Sequence, residues 1–387
     1  MKPRLAFIDG AGTDEPGLRA HHGGASRQER RGRVETRQRR APSATFPTSV
    51  PARRVAGLVV GLAGLAAMVL ASLLVGSQPI SPGDIGAGLS AYLGREPGTA
   101  PAPEVVNIAG LRFVRTLLGL LVGAGLGVAG ALIQAVTRNP VAEPGVLGIN
   151  AGSSFAVALA ISLGQVSSPA GQVIFAAVGA LAATGIVLLI GHGTGSTSDP
   201  ARLTLVGVAF GAIWSGVVKA LELLDPAGFS AMLAWESGSF QQRGMDVVAA
   251  CAPVVAAGLA VACALSGQLN ALALGDDLAT ALGANLVLVR AASVVTIAAL
   301  AGGAAAMAGP IMFVGLMVPH VVRWFTGPDY RWIVAYGIVH GPVLMLAADV
   351  VARVAVWPGE MPVGITTSFI GAPVLIWLVR RSRTVAL

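Results

Sequence analysis

Apolar runs of bilayer length recur along this chain from Val55 almost to its end, and no other feature limits its possible folds as strongly. About 20 apolar residues cross the hydrocarbon core of a membrane as a helix. Candidate spans read as 55–76, 114–136, 148–165, 170–191, 203–224, 246–265, 287–308, 311–325, 333–352 and 362–379. In lipid the backbone must satisfy its own polar groups, so repeated runs of this kind fold as helices. The expected fold class is therefore an all-α membrane protein, a polytopic bundle of about ten transmembrane helices. The stretch 311–325 is short for a crossing, and Gly309, Pro310 and Pro319 interrupt the apolar sequence around it. Composition agrees: 54% of the 387 residues are hydrophobic and only 12% charged, where soluble domains approach a quarter. A soluble enzyme, a disordered regulator and a coiled coil are all poor fits.

Charge is concentrated at the start. The first 54 residues hold Lys2 and eleven arginines against five acidic residues, 12 − 5 = +7, which is the net charge of the whole chain. This head is rich in Gly, Ser and Pro and has no apolar period, so residues 1–54 read as a basic, disordered cytoplasmic tail. Nucleic-acid binding is the less favoured reading, and a translation start further in is an alternative. The following run, from Val55 to Gly76, exceeds the apolar region of a secretory signal. With the N-terminus inside, the cytoplasmic connections and the C-terminal tail, together with Arg53 and Arg54 just before the first span, carry ten arginines (53, 54, 138, 202, 290, 323, 331, 380, 381 and 383). The outer ones carry five (95, 112, 115, 243 and 353), a moderate positive-inside bias that puts both termini in the cytoplasm. Arginines on the outer side need an explanation of their own.

Motifs of covalent chemistry are absent. There is no GxxxxGK[ST] phosphate loop, no HExxH and no GxSxG. His21, His22, His192, His320 and His340 are scattered, and Cys251 and Cys263 stand about 18 Å apart if helical, too far to pair. No catalytic residue, metal or cofactor is expected. Glycines at four-residue spacing (Gly119, Gly123 and Gly127; Gly207 and Gly211) favour close helix approach in a tight bundle. In the fifth span, Lys219 and Glu222 are spaced i, i+3 as a local ion pair near the outer interface, with Trp214 nearby.

Two stretches carry more specific information. One is Leu111–Gly152, LRFVRTLLGLLVGAGLGVAGALIQAVTRNPVAEPGVLGINAG. The other runs from Ala271 to Arg380 and contains ALALGDDLATALGA, GPIMFVGLMVPHVVRWFTGPDYR and AADVVARVAVWPGEMPVGITTSFIGAPVLIWLVR. Together they resemble the FecCD family of ABC importer permeases, which take up iron–siderophores, haem and cobalamin. The likeness extends from about Val55 to the C-terminus and leaves only the basic head without a counterpart. It implies the BtuC-like type II ABC importer permease fold of ten helices. It also implies a pair of permease subunits (homo- or heterodimer) lining one path, a cytoplasmic ABC ATPase dimer that hydrolyses ATP, and an extracytoplasmic siderophore-binding protein.

Three groups of residues take roles from the resemblance. Arg112, Arg115 and Arg353 match arginines at the outer mouth that pair with carboxylates of the binding protein. Guanidinium forks suit such pairs, while the alternatives are interfacial snorkelling for Arg112 and Arg115 and a local partner, Asp349 or Glu360, for Arg353. Residues 270–283 (Asn270, Leu274, Gly275, Asp276, Asp277, Leu278, Leu282 and Gly283) match a pair of short coupling helices that sit in a cleft of the ATPase. Its acidic first turn suits a helix N-terminus, and an interfacial helix is the alternative. The stretch Arg138, Asn139, Pro140, Glu143, Pro144, Gly145 and Gly148 matches a family signature and is assigned to a turn and the pore wall. Lys219 takes no ligand role. The resulting expectation is a permease subunit importing iron(III)-siderophore through the cytoplasmic membrane, with cobalamin or haem as alternative cargo. An ion-driven secondary transporter is the rival, disfavoured because the acidic residues lie at loops or span ends rather than mid-span.

Overall fold

A computed structural model of the chain describes residues 52–95, 100–164, 166, 168–191, 200–224 and 226–382. Nearly all of the basic head, expected to be a disordered tail, lies outside the described residues. Thirteen α-helices and one 3-10 turn follow in order: α1 Ala52–Leu74, α2 Pro82–Tyr92, α3 Pro103–Thr137, the 3-10 turn Pro144–Leu147, α4 Ile149–Ser162, α5 Pro169–Gly191, α6 Pro200–Leu224, α7 Pro226–Glu236, α8 Met245–Ala273, α9 Asp276–Ala281, α10 Leu286–Ala308, α11 Val314–Thr326, α12 Tyr330–Val354 and α13 Val363–Ser382. No strand occurs among the described residues. Ten of these helices (α1, α3, α4, α5, α6, α8, α10, α11, α12 and α13) coincide in order with the ten candidate spans. Seven of the ten are long and apolar enough to cross a membrane; α4 and α11 are shorter, and α13 offers an apolar stretch over Val363–Trp377.

Helix ends follow from local chemistry. Ser81 caps α2 by accepting the Asp84 amide at 3.1 Å, with Pro82 in the first turn. Pro103 starts α3 well ahead of the apolar run, so that helix reaches 35 residues, about 52 Å. Arg138 ends it in the left-handed region at φ 50°. Gly309 (φ 78°) and Phe313 (φ 71°) separate α10 from α11. Pro319 does not interrupt the chain as its position in the sequence suggests; it lies inside α11. Helix α8 also runs further than its apolar stretch, because Leu269 and Leu272 keep one face buried until Gly275 (φ 110°) stops it.

Helix α3 is the axis of the bundle, buried almost continuously from Leu118 to Val136. It packs on α12, α10, α8 and α11. Lipid offers helices no hydrophobic drive to associate, so contact depends on close backbone approach and van der Waals fit. Gly123 supplies that approach: a Cβ there would lie 2.5 Å from the Pro342 nitrogen and 2.6 Å from the Gly341 carbonyl carbon and oxygen. Further along, a Cβ on Gly130 would lie 1.8 Å from the Gly315 oxygen. Gly207 meets the Val146 oxygen of the 3-10 turn in the same way, at 1.9 Å. Replacing Gly130 or Gly123 by Val should lower the melting temperature of detergent-purified protein sharply. The clash is with backbone, so the loss should reach or exceed the usual 1–3 kcal/mol of overpacking, roughly. Gly64→Ala in α1, where a new Cβ meets nothing within 4 Å, should leave the melting temperature within error.

Candidate functional site

Two arginine-centred clusters sit along α3, at Arg115 and at Arg138, 23 positions and about 35 Å of helix apart. At the first, three guanidiniums are turned into the protein. The C-terminus of α1 presents carbonyls without intrahelical partners, and arginines from other helices satisfy them. Arg112 donates to the carbonyl oxygens of Leu73 (3.1 Å), Leu74 (2.9 Å) and Gln78 (2.6 Å). Arg353 donates to those of Ser72 (2.5 Å) and Val75 (3.1 Å). Positive charge there also complements the helix dipole. Asp349, with no solvent exposure, lies between two arginines: Arg353 one turn on, and Arg115 at 2.7 Å across the α3–α12 contact. Arg115 reaches Glu360 as well, at 2.5 Å, and Ser77 and Gln241 donate to the same carboxylate. Glu360 stands outside the helices, and although burial raises its carboxyl, the Arg115 guanidinium more than offsets this and holds it below the usual value.

The sequence-derived alternatives for Arg353, Asp349 and Glu360, are thus both partners in this cluster, Asp349 for Arg353 and Glu360 for Arg115. Snorkelling does not describe Arg112, which is 5% exposed. The arginines border a cavity of about 330 Å³ lined also by Glu104, Asn107 and Ser77.

At the other end the signature turn and the 270–283 segment form one unit. Arg138 donates to the Leu272 carbonyl at 3.0 Å, capping the end of α8, and pairs with Asp276. Arg290 of α10 grips both oxygens of Asp276 at 2.8 and 3.0 Å. Burial raises the Asp276 carboxyl, but the two guanidiniums outweigh it and hold it below the ordinary value. Asn270 joins a further helix, donating to Asp329 at 2.8 Å and accepting the Tyr330 amide at 2.7 Å. Of the pair of short helices implied for this segment, one is present: α9. Residues 270–273 belong to α8, whose buried Leu269 and Leu272 carry it past its apolar run. On α9 only Ala279 is buried, while Leu278, together with Leu274 and Leu282 that flank the helix, is exposed at 57%, 60% and 68%. Asp277 faces outward.

Within the turn, the Asn139 side chain accepts the Val141 amide at 3.0 Å, Pro144 opens the 3-10 turn, and Gly148 (φ 74°) releases the chain into α4. A Cβ added at Gly145 would meet only the Asn150 side chain, at 3.4 Å, and Pro140 follows the Arg138 helix stop. Glu143 reaches across 170 residues to accept the Phe313 amide at 2.7 Å. Burial pushes its carboxyl up, opposed by that hydrogen bond. Elsewhere, Lys219 pairs with Glu222 at 2.8 Å and with Glu236 of α7 at 3.4 Å, and Trp214 stacks on Phe155.

Reasoning from sequence did not identify Asp349 and Glu360 as the hub of the first cluster, Arg290 as the second clamp on Asp276, or Glu143 as the tie to Phe313. Only Arg353 with Asp349, four apart on one helix, left a local signal.

Comparison with known proteins places this architecture. The profile of the FecCD transport family matches residues 64–381. The ferric enterobactin transport system permease of Escherichia coli (strain K12) is 42% identical over 311 residues, 80% of this chain and 90% of that one. The hemin transport system permease of Yersinia pestis is 35% identical, over 70% and 83%. Among solved structures, an inward-facing conformation of a metal-chelate type ABC transporter superposes with a TM-score of 0.72. It is 25% identical and covers 84% of this chain and 99% of that one.

Asp349→Ala should destabilise the purified protein by about 3–5 kcal/mol, because it strands buried guanidiniums; Asp277→Asn, on an exposed carboxylate, should stay within about 0.5 kcal/mol. The pH responses have opposite signs. Glu143 has a raised carboxyl, so protonation favours the fold. Thermal stability should therefore rise as pH falls from neutral towards the ordinary carboxylate value of about 4, and Glu143→Gln should flatten that rise. Asp276 and Glu360 are depressed, so their contribution persists above that value and is lost only as pH drops through their lowered ones.

Proposed function

Because the chain belongs to the FecCD transport family, we propose that it is the membrane-spanning permease subunit of an ATP-driven importer carrying iron(III)-siderophore across the cytoplasmic membrane. The observation that carries the cargo class is the 42% identity to a ferric enterobactin permease over four-fifths of the chain. It is a transport subunit that performs no covalent step. ATP hydrolysis belongs to a separate cytoplasmic ATPase dimer, which engages α9. The support for this is the exposed apolar surface of Leu274, Leu278 and Leu282 beside an anchored acidic residue. The siderophore-binding protein docks on the opposite face, at the rim of the cavity bordered by Arg112, Arg115 and Arg353, where rim charge steers encounter more than it adds affinity. Both termini then lie in the cytoplasm.

A second permease subunit completes the path. Exposed apolar side chains on α6 (Leu205, Val208, Ile213) and α13 (Phe369, Ile376) are surfaces for it and for lipid. The α13 face borders a cavity of about 550 Å³ with Met312 and Pro310. Nucleotide-driven displacement of the coupling elements alternates which mouth is open, through contacts that differ between two states.

Haem is the second reading, favoured by the likeness to a hemin permease; cobalamin is a third cargo. Cells lacking this chain should lose uptake of one radiolabelled ferric siderophore and regain it with the wild-type gene. Loss of haem or cobalamin uptake with ferric uptake intact would keep the mechanism and overturn the cargo. Uptake that survives depletion of the partner ATPase would overturn the importer reading altogether.

A further inference from the structure

The attachment of α9 is unusual for a helix of six residues. A helix this short is not stable alone, and its single buried residue, Ala279, gives it little packing. Its one large apolar side chain, Leu278, points away from the protein, as do Leu274 and Leu282 that flank it. What fixes it is one carboxylate, Asp276, at its first position. The two cations that grip Asp276 come from separate parts of the bundle: Arg138 from the C-terminal cap of α3, and Arg290 from the second turn of α10. Arg290 is 8% exposed, so its guanidinium is a fixed and poorly hydrated partner. Arg138 also holds the Leu272 carbonyl, so the end of α8 and the start of α9 share one anchor.

We propose that Asp276 is a positioning residue that latches α9 to α3 and α10, so that a displacement imposed on α9 moves the central helix rather than bending the 274–285 segment. This rests on reading α9 as the element the ATPase engages. Without the carboxylate, Gly275 and Gly283, both at positive φ, flank a helix that retains little beyond Ala279 to hold it. Force on such a helix would be absorbed at the two glycines. Asp276 therefore acts on transport through Arg138 and Arg290 and touches no substrate.

The test is the complete importer, reconstituted in liposomes with its ATPase and second permease subunit, with ATP hydrolysis and ferric siderophore uptake measured together. In complexes that assemble, Asp276→Asn should lower uptake per ATP about tenfold, within the range of coupling free energies between sites, whatever it does to the absolute hydrolysis rate. Asp276→Glu, which keeps the charge, should restore most of it. Arg138→Gln, which leaves the Arg290 clamp in place, should give an intermediate loss and serves if the Asn variant does not assemble. Unchanged uptake per ATP, or hydrolysis and uptake falling in proportion, would overturn the latch. Leu278→Asp with Leu282→Asp separates the premise from the proposal. Failure of that variant to assemble with the ATPase supports α9 as the docking element, and normal assembly would overturn the premise whatever Asp276 does.

Discussion

Close backbone contact along α3 is the constraint on which the rest of this protein depends. In a bilayer, burying a leucine against another leucine gains little over burying it against lipid, so helices associate where they fit and where polar groups find partners. The Gly123–Gly341 and Gly130–Gly315 approaches put α3 within backbone contact of α12 and of the first turn of α11. That seam determines where the polar groups can meet. Asp349 of α12 reaches Arg115 of α3 only because the two helices run this close, and Arg323 of α11 reaches Gln134 of α3 for the same reason. Glycine content that looks permissive in the sequence is, at these positions, the condition for the ionic clusters.

The clusters solve a common problem at both ends. A helix end leaves carbonyls unpaired, and at the ends of α1 and α8 arginines from α3 and α12 supply the missing donors. Arg115 and Arg353 also pair with Asp349, and Arg138 and Arg290 with Asp276, which offsets part of the positive charge where water is scarce. Arg112 and Arg353 are consequently committed to holding the end of α1, and Arg115 to tying α3 to Asp349 and Glu360, so all three are framework as well as lining of the cavity.

How much of this is legible in the sequence depends on the range of the interaction. Apolar run length is local, and it located ten of the thirteen helices. Helix α2 carried a local signal too, Ser81 followed by Pro82 and Asp84, but it lies outside any apolar run; α7, with eleven residues, is too short to read as a span. The extra length of α3 and α8 comes from surfaces that other helices bury, which the sequence does not display. Pairings such as Arg138 with Asp276, 138 residues apart, or Arg115 with Glu360, 245 apart, leave no local trace. The motifs singled out Arg112, Arg115, Arg138, Asp276 and Arg353 and left open which partners they touch.

The uneven helix lengths have a consequence for the surrounding lipid. Helix α4 has 14 residues, about 21 Å of apolar wall, while neighbouring α5 with 23 residues offers about 34 Å. The apolar wall that exposed Leu159 offers on α4 is therefore shallower than the one that exposed Ile174 offers on α5. Mismatch of this kind is relieved by local thinning of the bilayer at a fraction of a kcal/mol per Å. Where lipid reaches the α4 flank, such thinning would draw the bilayer in on that side, and shorter acyl chains would fit it better.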